Sequence, residues 1–168
     1  MKVHEYQARQ LLAEAGIPVP PGHMVQSVDE AVSAAEKLFG GGAKLAVIKA
    51  QVHAGGRGKA GFVKLIKSVD EARGAAEFML SNRMVSPQTG AEGLEVRRLL
   101  LAEGVDIDKE YYLAITVDRA NNTNTMIASA EGGVEIEQVA LARNNTIHRV
   151  PLHPLRGMEP YQARELAF

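Results

Sequence analysis

No cysteine occurs anywhere in the 168 residues, which removes disulfides, thiolate metal sites and cysteine nucleophiles and fits a reducing compartment. An excess of charge is missing too. Nineteen Lys and Arg stand against twenty Asp and Glu, for a net charge of -1. The chain as a whole therefore has no electrostatic pull toward a phosphate backbone or an anionic membrane, and no nucleic acid partner is expected. Long apolar runs are also absent: nothing approaches the ~18 residues that span a bilayer, and residues 45–48 and 99–102 have the length of buried strands. The opening residues, Met1 to Arg9, mix charges where a signal peptide needs a continuous apolar stretch. No membrane association is expected, and the expected location is the cytoplasm or an organelle matrix. What is present is 46% hydrophobic and 23% charged residues, enough for a real core and inconsistent with disorder or collagen-like architecture. The length suits one ordinary domain or a piece of something larger.

Tyr6, Leu11 and Leu12 fall at helical spacing and Gly16 with Pro18 stops them, so residues 4–15 read as a short amphipathic helix. Ser27-Val28-Asp29-Glu30 and Ser68-Val69-Asp70-Glu71 are both capping boxes, a hydroxyl three residues ahead of a carboxylate. They predict helices over 28–39 and from 69 toward Leu80, the first ended by Gly40, Gly41 and Gly42. Strands are expected over 44–50, 62–66, 94–101, 111–118 and 125–130, with a helix over 134–141, an extended stretch over 146–155 and a helix over 159–168. Helices and strands alternate without a strict βαβ rhythm, which predicts an α+β fold with mixed sheets, not a doubly wound parallel one. The two capping boxes suggest two strand-and-helix units packed as one lobe over residues 20–100, with the first helix and the later segment belonging elsewhere.

The stretch from Lys49 to Gly61 sets four glycines around Arg57 and Lys59. Glycine lets backbone amides approach an anion and the cations neutralise it, so a phosphate cradle is one reading. An exposed hairpin turn with solvated basic residues is the other. Gly56, Gly58 and Gly61 satisfy G-x-G-x-x-G, but that fingerprint needs a helix directly after the loop, and here a strand follows. The Walker pattern fails as well, with His53 at its first glycine and Ala60 at its Ser or Thr. What survives is a β-hairpin flap over nucleotide phosphates. Lys49, at a strand end, can serve as a point charge on phosphate or reach solvent, and His53 can touch phosphate or be structural.

Downstream, Leu99 to Val105 ends an apolar strand in Ala102, Glu103 and Gly104. Backbone groups there can meet an adenine edge, and Glu103 or Glu110 can accept from an exocyclic amine or a ribose hydroxyl; the plainer reading of both is as solvated acids in a loop with Asp106 and Asp108. The five histidines lack the spacing of a zinc helix, and His148 and His153 read as structural. Glu131, Glu135 and Glu137 do not share a helix face, so no metal site is assigned in this chain.

These residues resemble, in order and from end to end, the N-terminal part of the β subunit of the succinyl-CoA synthetase (succinate-CoA ligase) family. The matching blocks are His4 to Ala8, Lys49 with Gln51 to Gly61, Glu131 to Glu137, and Tyr161-Gln162 with Arg164 to Phe168. The resemblance implies an ATP-grasp fold, incomplete at its C-terminal end. Residues 21–100 would form the N-terminal lobe carrying the glycine flap, and residues 1–20 with 101–168 part of the second lobe. It implies a site for ATP/ADP or GTP/GDP with Mg²⁺. Lys49, Gly56, Arg57 and Gly58 would hold phosphates, Ala102, Glu103 and Val105 would form the adenine hinge, and Glu110 would lie near the ribose. The commoner family pattern has its glutamate one position earlier, where Ala102 stands.

The implied reaction is the reversible conversion of succinyl-CoA, phosphate and NDP into succinate, CoA and NTP, a step of the tricarboxylic acid cycle. It passes through a phosphohistidine on a partner α subunit, in an αβ or α2β2 assembly. No catalytic residue is assigned in this chain. Family β subunits are longer, with magnesium ligands and the CoA-binding ligase domain beyond Phe168, so the chain alone is expected to be inactive. The apolar ending without a glycine cap suits a cut chain. Alternatives are a related acid-thiol ligase, such as malate-CoA ligase or part of ATP-citrate lyase, and a non-catalytic nucleotide-binding or subunit-interaction module.

Overall fold

The computed structural model describes residues 2–133, 136 and 146–168. Except for Ile136, the helix expected over 134–141 lies outside the described residues, as do Glu135 and Glu137. The chain divides into two compact units, Met1–Val105 and Asp106–Phe168.

In the first unit, β1 (Gly22–Val25), α2 (Val28–Gly40) and β2 (Ala46–Ala50) are followed by β3 (Val63–Ile66) and α3 (Val69–Ser81). The short pair β4 (Arg83–Met84) and β5 (Leu94–Glu95) comes next, then β6 (Leu99–Glu103). The main sheet has the order β1-β6-β2-β3, and each of its pairings is antiparallel. Strand β6 thus separates β1 from β2, and β2 separates β3 from β6. Two strand-helix-strand units interleave, which keeps the expected α+β class while leaving no parallel neighbours in this sheet.

The interleaving follows from a repeated pattern. Both capping serines accept from the backbone amide of the glutamate three residues on, and both glutamates close back on the residue before the cap. The pattern continues into the cores of the helices: α2 buries Ala31, Ala34, Ala35 and Leu38, and α3 buries Ala72, Ala75, Ala76 and Met79. Alanine at i, i+3 and i+4 gives each helix a smooth stripe that lies close on a neighbour. Those stripes pack with Ala46, Ile48, Ile66, Leu99 and Leu101 in one apolar core.

Helix α1 (Glu5–Glu14) has no buried residue. Residues 1–20, expected to group with the segment after residue 100, and residues 101–105 fall in the same unit as 21–100. Polar contacts tie α1 to β2, and β6 is one of the two inner strands of the main sheet. The single strand expected over 94–101 is divided between β5 and β6, which belong to different sheets. Arg97 and Arg98 interrupt it, and Arg97 turns to an exposed ion pair with Glu95 at 2.7 Å.

The second unit holds β7 (Tyr112–Asp118), β8 (Thr123–Ser129) and β9 (Ile147–Leu152), antiparallel in that order, and α4 (Pro160–Ala167). The expected strands and final helix are all present here. Asp118 accepts from the amides of Ala120 and Asn121 to shape the β7–β8 turn. Buried Gln162 ties α4 to the Pro151 carbonyl of β9 at 2.7 Å. Along β7, Leu113, Ile115 and Val117 are 66%, 62% and 68% exposed.

Candidate functional site

Strands β2 and β3 pair directly, with Lys49 opposite Val63, and the glycine stretch is the bend between them. Within β2 the side chains of Ala46, Ile48 and Ala50 are buried on the α2–α3 side. Lys49 alternates with them and therefore faces the other way.

The bend is more ordered than a bare hairpin turn. Ala60 N donates to Gly56 O at 3.0 Å, Gly61 N to Gly58 O at 3.1 Å and Phe62 N to Arg57 O at 2.8 Å. This is one helical turn closed by a Schellman motif, for which Gly61 supplies the left-handed residue at φ +79°. The chain then passes straight into β3, so the strand-loop-strand expectation holds. The bend is also anchored from outside: Gly55 N donates to Gln88 Oε1 at 2.7 Å. A side chain on Gly58 would meet no atom within 4 Å, so that backbone is open to approach.

Lys49 and Arg57 converge on one carboxylate. Lys49 Nζ donates to Glu5 Oε1 at 2.9 Å, and Arg57 Nη1 lies 3.1 Å from Glu5 Oε2. Arg57 Nη1 directs its hydrogen bond to the Ala50 carbonyl at 2.9 Å. Oε2 is shielded from water with a cation beside it and, among the described residues, no aligned hydrogen bond. Burial pushes the Glu5 carboxyl up; the hydrogen bond and charge of Lys49, with Arg57, outweigh it and hold the group below its usual value.

The start of α1 is clipped to the same strand end. Tyr6 N donates to Gln51 Oε1 at 3.1 Å, and Gln51 is itself 4% exposed. The His4 ring stacks on His53 at 4.0 Å with an interplanar angle of 11°, and His4 Nδ1 is buried without a hydrogen-bond partner among the described residues. Burial first, then the charges of His53, Arg98 and Arg57, hold the His4 imidazole below its ordinary range. In this structure His53 serves as a stacking partner.

Ala102 is 1% exposed on β6, in register with Val47 and Gly22. Glu103 pairs with Ala46; its amide donates to Pro21 O at 2.9 Å, and the Gly104 amide donates to Leu45 O at 2.8 Å. Two of the backbone donors expected to meet adenine are thus already used, while Val105 is 52% exposed. Glu110 lies in the second unit, packed on the Gly132-Gly133 turn. Gly132 N donates to Glu110 O at 3.2 Å, and a Cβ on Gly133 would lie 2.1 Å from Glu110 Oε2.

The sequence reading did not assign Glu5, Gln51 or the His4–His53 stack. An acid in a first helical turn reads as dipole compensation, and nothing in its sequence neighbourhood sets Glu5 beside Lys49. Among the described residues no group of three or more His, Asp or Glu side chains could hold a metal ion.

Comparison with known proteins fits this geometry. The β subunit of ADP-forming succinate–CoA ligase from Chloroherpeton thalassium is 50% identical over 171 residues, covering 100% of this chain and 43% of that protein. The corresponding subunit from Halalkalibacterium halodurans is 50% identical over 168 residues with the same coverage. The chain therefore spans less than half the length of the curated relatives it matches. Among solved structures, the dinucleotide-forming acetyl-coenzyme A synthetase 1 of Ca. Korarchaeum cryptofilum, in complex with coenzyme A, Ca-AMPCP and HgCl⁺, superposes with TM-score 0.71 at 18% identity. The match covers 98% of this chain and 64% of that one, a likeness of fold. A family model described as the ATP-grasp domain matches residues 2–168. With that match running through both units, and a hairpin bend that gathers Lys49 and Arg57 at its base, this chain belongs to the ATP-grasp family.

Proposed function

We propose that this chain is the nucleotide-binding portion of the β subunit of a succinate–CoA ligase, ADP- or GDP-forming. Lys49, Arg57, Gly56 and the open backbone of Gly58 hold the phosphates. Ala102, Glu103 and Val105 form the base-binding hinge, with Val105 offering the exposed end of it, and Glu110 serves the ribose. The first compact unit is then the N-terminal ATP-grasp lobe and the second the beginning of the other lobe.

One observation carries the reading: two cations from a strand end and a glycine bend are close enough to share a single carboxylate, the spacing a diphosphate needs. The trio of Lys49, Arg57 and Glu5 retains a net positive charge. Lys49 spends one of its three ammonium N–H groups on Glu5, and Arg57 keeps further guanidinium donors beyond the one given to Ala50. The chemistry served is phosphoryl transfer by positioning and charge neutralisation. Magnesium would screen the same phosphates in the full enzyme, but the described residues offer it no donor cluster, so no step is assigned to it here.

The whole reaction, succinyl-CoA with phosphate and NDP giving succinate, CoA and NTP, needs the α subunit with its phosphohistidine and a CoA-binding ligase domain, in the cytoplasm or an organelle matrix. This chain alone is expected to bind nucleotide weakly and to turn nothing over. Isothermal titration of the chain with ADP tests the reading. Lys49→Ala and Arg57→Ala should each weaken binding about tenfold or more; unchanged affinity in both would refute it.

A further inference from the structure

We propose that Glu5 is a positioning residue for the phosphate-binding cations: its carboxylate fixes Lys49 and Arg57 at the spacing from which both can grip one diphosphate. The inference rests on the nucleotide reading above and deepens it.

Glu5 comes from a different element than the cations it joins. It lies in the first turn of α1, whereas Lys49 ends β2 and Arg57 lies in the bend. A carboxylate serving only the helix dipole would face water. Here Oε2 is shielded, and the two oxygens divide between the cations, Oε1 to Lys49 at 2.9 Å and Oε2 to Arg57 at 3.1 Å. The cation side chains each keep 26% of their surface, so the carboxylate braces them while leaving part of each open to a ligand.

None of the residues of α1 is fully buried, and residues 5–9 are half-buried, so no deep apolar anchor fixes the helix. The first turn of the helix is held beside the cations by polar and ring contacts, Tyr6 N on Gln51 and His4 on His53, while Arg9, further along, reaches the Pro20 carbonyl ahead of β1. A first helical turn fixed beside the two cations by polar and ring contacts, with no fully buried side chain among them, holds Glu5 where both cations reach it. Lysine and arginine are long and flexible, and an internal carboxylate that orders them before the ligand arrives strengthens binding by preorganisation.

The test uses this chain, with ADP, inorganic pyrophosphate and adenosine as probes in calorimetric titration. Glu5→Gln should weaken ADP and pyrophosphate about tenfold and leave adenosine unchanged, while Glu5→Asp, which keeps the charge, recovers part of the loss. If Glu5→Gln binds ADP as well as or better than the parent while Lys49→Ala does not, the positioning role is wrong and the nucleotide reading stands. Equal loss for ADP and adenosine would overturn it too, marking a general structural defect. If the parent binds neither ADP nor pyrophosphate, both readings fall. Should Glu5→Gln fail to fold, the Glu5 carboxyl ¹³C resonance in the parent decides: a shift on saturation with ADP supports the role, and none overturns it.

Discussion

Ser27 and Ser68 make the same bond at equivalent places in two helices: Ser27 Oγ accepts from Glu30 N at 3.2 Å and Ser68 Oγ from Glu71 N at 3.1 Å. Each satisfies a helix-terminal amide that the helix itself cannot reach. Ser27→Ala and Ser68→Ala should therefore each cost about 1 kcal/mol and lower Tm by about 2–4 °C. Thermal melts followed by circular dichroism would show it; a change at one site and none at the other would mean that the two caps are not equivalent in energy.

The alanine stripes give a sharper prediction. Ala76 is 0% exposed between α3 and its neighbours, so Ala76→Leu must force side chains off their rotamers or move the helix. Urea denaturation should report a loss of about 1–3 kcal/mol. Leu65→Ala, at a position 67% exposed, should stay within about 0.5 kcal/mol.

How far the sequence revealed these features depends on how local their causes are. The N-caps of α2 and α3 and the end of α2 were legible because a serine, a glutamate and a glycine act within one turn. The division of 94–101 into β5 and β6 was not, since it depends on which sheet each half joins. Glycine spacing marked the bend between β2 and β3 but said nothing about the helical turn inside it, which needs the signs of φ at particular glycines. Lys49 and Arg57 could be picked out by type and neighbourhood. Their tie to Glu5 joins residues 44 apart or more in the chain, and no local pattern encodes it.

Glycines 132 and 133 separate backbone from side-chain crowding. A Cβ on Gly132 would lie 2.4 Å from the Glu110 carbonyl carbon, whereas one on Gly133 meets chiefly the Glu110 carboxylate, at a φ of +68°. Both Gly132→Ala and Gly133→Ala should destabilise, by about 1–3 kcal/mol. Adding Glu110→Ala should recover part of the loss for Gly133→Ala and none for Gly132→Ala. Denaturation of the double variants decides between these outcomes.

Acid should loosen the α1 clip in two stages. His4 is held below its ordinary value, so the unfolded chain takes up the proton first. Stability from neutral His4 is complete above about pH 6.5 and is lost as pH falls below that. The Glu5 value is lowered as well, so its contribution is complete above about pH 4.3 and is lost on descending through the folded value. Melts across pH 8 to 3 should show that His4→Gln flattens the first stage. The deficit of Glu5→Gln relative to the parent should persist to about pH 4.3 and shrink below it.

The apolar side chains along β7 have a consequence for handling the molecule. Strand β8 covers one side of β7, and among the described residues its other side has no partner strand. Leu113, Ile115 and Val117, alternate residues of β7, give the sheet face beside that edge a greasy, β-favouring surface. Two copies meeting there could zip together through their main chains, so crowding in the tube would limit this polypeptide before heat does. A lysine at Val117 would be the simplest guard against clumping.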